Sequence, residues 1–304
     1  MIPSARAASY IYFSVSLSGF AINFMLYVIA TPIGNLEDIT MRALRLLGEV
    51  DLIACEDTRH TRKLLTHYHI QTPSISYHEH NERERTAEIL QKLKSGMRVA
   101  LVSDAGTPLV SDPGFRLVSE AAAAGIEIVP IPGACALITA LSASGVASND
   151  FFFAGFLPVK RTARRARLTE LAGLHTTLIF YEAPHRIQAM LADAFEILGN
   201  RASVLARELT KLHEEFLRGT LGEILATAKA ADLKGEIVLL VAPPTVNEKS
   251  SRQGETLSIL QEVERLMATE NLDQKAALKR IARERGIGKS EAYRLLIAEK
   301  QTRQ

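Results

Sequence analysis

Short apolar runs alternate with amphipathic stretches through the first half of the chain. Leu26–Ala30, 50–55, 74–77, 98–103 and 126–131 are dense in aliphatic and β-branched residues and read as strands. Between them, apolar residues recur at helical spacing over roughly 37–47, 58–67, 82–94, 114–124 and 133–144. Asn35 is placed to cap the first helix, with Asp38 three residues on returning the bond, and Gly125 is placed to close the fourth. Strand–helix alternation of this kind predicts a mostly parallel sheet covered on both faces.

After residue 150 the pattern changes. Residues 151–156, 176–181, 203–208, 214–218 and 236–241 read as strands, with helices near 161–172, 184–198 and 219–229. The 203–218 pair reads as an antiparallel hairpin, which makes a second, mixed-sheet α/β layer. The predicted organisation is an α/β domain over 26–150, a second over 151–243, a linker and helix over 244–270, and a helical tail over 271–304. Residues 242–256 are rich in turn-forming and polar residues, as a linker should be. Within 273–300, two short helices flank Gly286-Ile287-Gly288, with Ser290 placed to cap the second, a helix-turn-helix-like layout. The "GIGKS" there is no P-loop, because Arg283 occupies the earlier glycine position.

The first 24 residues stand outside this scheme. Residues 8–24 follow Arg6 and are apolar enough to imitate a signal-peptide core, but too short and polar for a membrane span. They read as a gene-start extension, with Met25 as the start of the folded chain. Composition changes this picture little. Hydrophobic residues make up 47% and charged residues 23%, ordinary for a soluble enzyme. A net charge of +2 supplies no global field for nucleic acid, so any basic partner site must be local. The two cysteines, Cys55 and Cys135, lie in apolar runs and read as reduced, which suits the cytoplasm.

Chemistry concentrates at strand ends. "VSDAGTPLVSDPG", residues 102–114, follows a strand and is dense in small residues, with Asp104 able to accept hydrogen bonds and Gly106 and Gly114 allowing close backbone approach. Its composition also suits an elaborate turn, although it is longer than a turn requires. Pro132-Gly133 reads as a second strand–glycine–helix junction. Glu56 and Asp57 sit at a strand's carboxyl end, with Arg59, Arg62 and Lys63 sharing one face of the following helix. That face is either a solvated surface or a phosphate contact; cations in a first helical turn oppose the dipole and favour contact. His78, Glu79 and His80 end another strand, and alternation would send the two histidines to opposite sides, against a metal site. Lys160, Arg161, Arg164, Arg165 and Arg167 crowd a predicted helix start, again against the dipole. "FYEAPHR" and "ARELTKLHEEF" add polar residues at strand ends of the second half, consistent with a cleft between the two.

Taken in order, "TPIGNLEDIT", "CEDTRHTRKLL", "YHEHNE", "SDAGTPLVSDPG", "IPG", "FYEAPHR" and "ARELTKLHEEF" resemble the signatures of the bacterial 16S rRNA (cytidine-2′-O-)-methyltransferases, a subgroup of the tetrapyrrole methylase superfamily. The resemblance runs from Leu26 to about Pro243. It implies two α/β domains with a donor cleft between them, S-adenosyl-L-methionine as methyl donor, no metal, a homodimer, and 16S rRNA of the small ribosomal subunit as substrate, at a cytidine of family position 1402. Carried over by motif, donor contact falls to Asp104, Gly106, Pro132, Gly133, Tyr181 and Ala183. Substrate contact falls to Asn35, Arg59, Arg62, Lys63, Lys160, Arg161, Arg164 and Arg165. Glu56, Asp57, His78 and Glu79 are the candidate proton acceptors, among which the sequence does not choose. A tetrapyrrole or other small-molecule acceptor is the alternative, disfavoured by charged loops and only 6% aromatic residues. A regulator binding nucleic acid through 273–300 is the non-enzymatic one.

Overall fold

The computed structural model describes residues 25–231, 233–244, 258–270, 272–284 and 287–302. The N-terminal extension, most of the linker and Gly286 lie outside the described residues. The chain divides into two compact units at Pro243/Pro244.

The first unit opens with a five-stranded sheet of β1 (Met25–Ile29), β2 (Leu52–Cys55), β3 (Ser74–Ser76), β4 (Val99–Val102) and β5 (Glu127–Ile131), ordered β3-β2-β4-β1-β5. Its pairings are all parallel. Period-two alternation sorts the strand residues between two faces. Ile53, Cys55, Ala100 and Val102 meet α1 (Met41–Glu49) and α2 (Thr58–His67) on one face. Leu52, Ala54, Val99 and Leu101 meet α3 (Glu82–Lys94) and α4 (Phe115–Ala123) on the other. β2 and β4 are buried throughout, as a doubly covered parallel sheet requires.

The neighbouring strands β1 and β4 send their following helices to opposite faces, which opens a crevice between the two loops at their carboxyl ends. Such a topological switch point is where open α/β sheets hold ligands.

α5 (Ala136–Ser144) leaves the first sheet and packs on the second. Its Leu137, Ala140 and Leu141 form one cluster with Ile179, Val204, Ala206, Val238 and Leu240. The second sheet comprises β6 (Phe151–Phe156), β7 (Thr177–Glu182), β8 (Ala202–Arg207), β9 (Glu215–Thr220) and β10 (Ile237–Val241), ordered β6-β7-β10-β8-β9. Only β6 and β7 pair in parallel; β8 and β9 form the expected antiparallel hairpin. α6 (Arg161–Ala172), α7 (Pro184–Leu198) and α8 (Leu221–Ala230) cover its far face. A reciprocal capping box between Thr220 and Glu223 starts α8.

The second unit holds α9 (Ile259–Glu270), α10 (Gln274–Glu284) and α11 (Lys289–Thr302) around one apolar core. Val263, Leu266, Leu278, Ile281 and Leu296 belong to it, so α9 completes the tail's core and two helices alone do not.

Four local expectations need correction. The first helix is broken: Asn35 caps a short 3-10 turn at Leu36–Asp38 by accepting from the Glu37 N–H, and α1 begins later behind a Thr40 cap. Asp38 makes no return bond, one of its carboxyl oxygens being buried without a partner. α5 starts three residues after Gly133, because the chain first crosses the end of β1, where a Cβ on Gly133 would come within 2.9 Å of Ala30. Ser290 lies inside α11, whose first turn is accepted by the Gly288 carbonyl. His78 and His80 lie in a turn beyond β3 with ring centroids 5.9 Å apart, so the strand alternation that set them on opposite sides does not apply. Gly125 does close α4: at φ +70°, its N–H reaches the Ala122 carbonyl while Ile126 reaches Ala121, a Schellman motif.

Candidate functional site

The loops after β1 and β4 are pinned to each other. Thr31 and Gly106 exchange both backbone hydrogen bonds, at 2.9 and 3.0 Å, and the Thr31 hydroxyl donates to the Ser103 carbonyl at 3.1 Å. Gly106 adopts φ +90°, and a Cβ there would press on Ile33 at 3.1 Å, so a side chain would both strain and crowd the turn. Asp104 stands two residues beyond the end of β4, and its Oδ1 accepts the Asp57 N–H at 3.0 Å. This bond ties the loop after β2 to the same frame. Beyond it, Leu109 and Ser111 hold left-handed backbone ahead of Asp112.

The second sheet brings β7, the β8–β9 loop and the start of β10 to the same place. Gly34 lies so close to the β8–β9 loop that a Cβ would meet the Lys211 Cγ at 2.5 Å and the Leu209 carbonyl at 2.8 Å. The Asn35 N–H donates to the Thr210 hydroxyl at 3.1 Å. Between the two sheets lies a cavity of about 630 Å³, lined by residues that include Ile33, Asp104, Gly106, Val110, Asp112, Phe156, Tyr181, Glu182, Ala183, Lys211, Glu236 and Val238. Tyr181 is held by its hydroxyl, which accepts the Leu137 N–H at 3.0 Å, and by edge contacts with Phe153 and Phe156. Burial pushes its phenol pKa up.

Four carboxylates face this space. Glu182 is buried; its Oε1 takes the Ala183 N–H at 2.8 Å while its Oε2 has no hydrogen-bond partner. Burial raises its pKa against the pull of Arg186. Asp112 is pushed up to about 7, first by burial and then by the charge of Glu56, with Asp104 and Glu236 adding to it and a Ser103 hydrogen bond opposing. Glu236 pairs with Lys211 at 3.4 Å, and Lys211 reaches Glu208 at 2.9 Å. Apolar walls, a clustered negative field and one paired lysine suit a ligand with an apolar body and a cationic group.

The residues singled out in the sequence divide by position. Asp104, Gly106, Tyr181 and Ala183 line the cavity. Pro132 and Gly133 do not; they are exposed, and Gly133 serves the packing against Ala30. Glu56, Asp57, His78 and Glu79 lie at the ends of β2 and β3, outside the cavity lining. Asp57 caps α2 through the Arg59 N–H at 2.8 Å and clasps the Arg59 guanidinium at 2.7 Å, which holds its carboxyl well below the usual range and makes it a poor proton acceptor. Burial and then Asp104 raise the Glu56 carboxyl. Glu79 is exposed, and His78 Nε2 faces the Asn81 amide at 3.2 Å. Arg59, Arg62 and Lys63 are exposed on α2, and Asn35 is exposed at the cavity's edge.

The cationic run beginning α6 is a correction. Arg161, Arg164 and Arg165 all converge on Asp193 of α7, at 3.2, 2.7 and 3.0 Å. Arg164 is 6% exposed and Asp193 2%, so this arginine braces α6 against α7 and is out of reach of a substrate. Arg165 also pairs with Glu196, leaving Lys160 and the partly paired Arg161 as the exposed members. Sequence reasoning missed Asp112, Glu182, Lys211 and Glu236. Asp112, Glu182 and Lys211 lie within quoted motifs and Glu236 opens the predicted strand 236–241, but only the fold brings them to one cavity.

Relatives point the same way. A "Ribosomal RNA small subunit methyltransferase I" of Halalkalibacterium halodurans is 48% identical over 271 residues, covering 89% of this chain and 93% of the relative. The protein of that name in Bacillus subtilis is 44% identical, over 88% of this chain and 92% of the relative. Among solved structures, a cobalt precorrin-4 methyltransferase matches with a TM-score of 0.55 at 16% identity, covering 75% of this chain and 98% of that one. A uroporphyrin-III C-methyltransferase from Thermus thermophilus, solved with S-adenosyl homocysteine, matches at 0.51 and 18% identity, covering 71% and 97%. At these identities the structures show shared fold alone. The description Tetrapyrrole (Corrin/Porphyrin) Methylases matches residues 25–225, and the chain belongs to that family.

Proposed function

We propose that the chain transfers a methyl group from S-adenosyl-L-methionine to the ribose 2′-hydroxyl of a cytidine in the rRNA of the small ribosomal subunit. That it is a methyltransferase using this donor follows from its family. The small-subunit rRNA substrate is supported by relatives of that name at 44–49% identity over most of the chain. The cytidine and its 2′-oxygen rest on the motif resemblance, and so do a homodimer and a cytoplasmic location.

The observation that carries the reading is the cavity at the switch point. About 630 Å³ is within the range of cofactor clefts, and its lining has the two characters this donor requires. Ile33, Val110, Phe156 and Val238 offer apolar contact for a purine, and Asp104, Asp112, Glu182 and Glu236 offer charge to an ammonium and a sulfonium. When bound, the donor supplies an already activated methyl group. The protein's task is to orient the hydroxyl in line with it, exclude water and take the proton. We assign the proton to Asp112. Its carboxyl lines the cavity, it sits on a loop fixed by left-handed turns, and its raised basicity suits a general base near neutral pH.

The test is transfer of labelled methyl from S-adenosyl-L-methionine to purified small subunits lacking 2′-O-methylation, with Asp104→Ala alongside. Label mapped to a cytidine ribose, with at least tenfold weaker donor binding in the variant, is the expected result. Measurable donor binding with no label on subunits or free rRNA would send the acceptor back to small molecules.

A further inference from the structure

The C-terminal unit carries a groove of about 470 Å³ on α10 and α11, with Leu278 in its lining and Lys275, Lys279, Lys289 and Arg294 around it. All four cations are exposed, and none makes an ion pair among the described residues. The arginines of α6 behave in the opposite way, being drawn into acidic partners. Cations without an ion pair gathered on one groove make a local positive field.

Their placement is costly for the helices themselves. Lys275 is the second residue of α10 and Lys289 the first of α11, where the helix dipole is already positive and stability favours acids. Two first-turn lysines on one groove, beside the Ser290 hydroxyl, make a seat for anionic oxygens. Lys275 and Lys279 are one helical turn apart, so the positive charge is spread along the groove and suits successive phosphates better than a single one. Tyr293 adds a ring that is 55% exposed among these cations, the pairing of charge and stacking surface found in single-stranded nucleic-acid sites.

We propose that this groove docks the phosphate backbone of RNA, with Tyr293 stacking on an unpaired base. The choice of RNA rests on the substrate reading above; the charge and the stacking ring are independent of it. Docking here is a binding function separate from the methyl-donor cavity, and it supplies affinity without taking part in the reaction.

The full chain carrying Lys275→Gln, Lys279→Gln, Lys289→Gln and Arg294→Gln tests it. Binding to 16S rRNA and to small subunits is measured against potassium chloride concentration, with melting temperature as a fold control. The logarithmic salt slope should become shallower by roughly 3, from about 0.7 per single-strand phosphate contact. The Michaelis constant for subunits should rise at least tenfold, while donor affinity and the rate at saturating subunit stay unchanged. Tyr293→Ala should weaken rRNA binding about fivefold or more at every salt concentration. An unchanged slope overturns the proposal. So does normal rRNA binding with weakened subunit binding, which would make the groove a ribosomal-protein contact. Absence of methyl transfer by the wild-type chain would instead overturn the substrate reading, and is seen without any groove variant.

Discussion

Replacing Asp193 with alanine separates a brace from a substrate-reading surface. In the folded protein its carboxylate takes Arg164 at 2.7 Å, Arg165 at 3.0 Å and Arg161 at 3.2 Å. Arg161 can turn to water, and Arg165 keeps Glu196. Arg164 has neither escape: its side chain is 7% exposed, so the substitution leaves a buried guanidinium without its ion pair, with only the Val159 carbonyl and the more distant charge of Glu182 to answer it. Removing one partner of such a pair costs about 3–5 kcal/mol. For a unit of this size that lowers the melting temperature by roughly 6–20 °C. Replacing both partners at once, Arg164→Met with Asp193→Leu, removes the stranded charge and should return most of the loss.

Acidity offers a second check on the same site. Burial draws the Asp193 carboxyl upward, but hydrogen bonds from Arg164, Arg165 and Arg161 outweigh it and hold the pKa below the usual value. A depressed carboxyl contributes stability above its unfolded pKa of about 4 and loses it as pH falls through the lower folded value. The gap in melting temperature between wild type and Asp193→Ala should therefore be full at pH 7 and shrink below about pH 4. Calorimetry across this range decides the matter. An unchanged melting temperature, accompanied by altered rRNA affinity, would refute the brace and restore the α6 arginines as substrate contacts.

Two further perturbations probe the cavity. Gly34→Ala places a methyl group against the Leu209 carbonyl and Lys211, and should cost about 1–3 kcal/mol and weaken donor binding, read by melting and titration calorimetry; Gly48→Ala meets nothing within 4 Å and should stabilise α1 slightly. Asp112 must be ionised to accept a proton, so kcat/KM should rise with pH to a plateau above about 7. Asp112→Asn should flatten that profile and lower kcat at least 100-fold; an unaltered profile would remove Asp112 from the reaction.

The first sheet was legible because its strands are apolar runs bounded by glycine and polar turns, and the hairpin because two short runs sit close together. Legibility failed where tertiary contact overrides local pattern. α5 looks like a helix opened by Pro132-Gly133, yet Gly133 is fixed by its approach to Ala30, and the helix waits until Ala136. The arginines of α6 carry the composition of a phosphate site, and only their distance to Asp193, 28 to 32 residues further on and beyond β7, shows most of them to be spoken for. Asp104 could be singled out because it follows its strand directly. Asp112, Glu182 and Glu236 could not, since three separate segments must fold before they share a cavity.

That convergence also explains where the backbone is strained. Of the non-glycine residues with positive φ, Leu109 and Ser111 lie in the β4–α4 loop, and Glu208 and Thr210 in the β8–β9 loop, the two loops that border the cavity. Each such conformation costs about 1–3 kcal/mol and persists only where its surroundings enforce it. The enforcement is visible at Gly114, where a Cβ would meet Leu101 at 2.9 Å, and at Gly235, where it would run into the Glu208 carboxylate. The fold thus fixes carboxylates near one another in advance; burial first, and then the charges of Glu56, Asp104 and Glu236, drive the Asp112 pKa upward. A cationic ligand relieves the repulsive part of this shift, so the positive charge of the proposed donor suits the cleft.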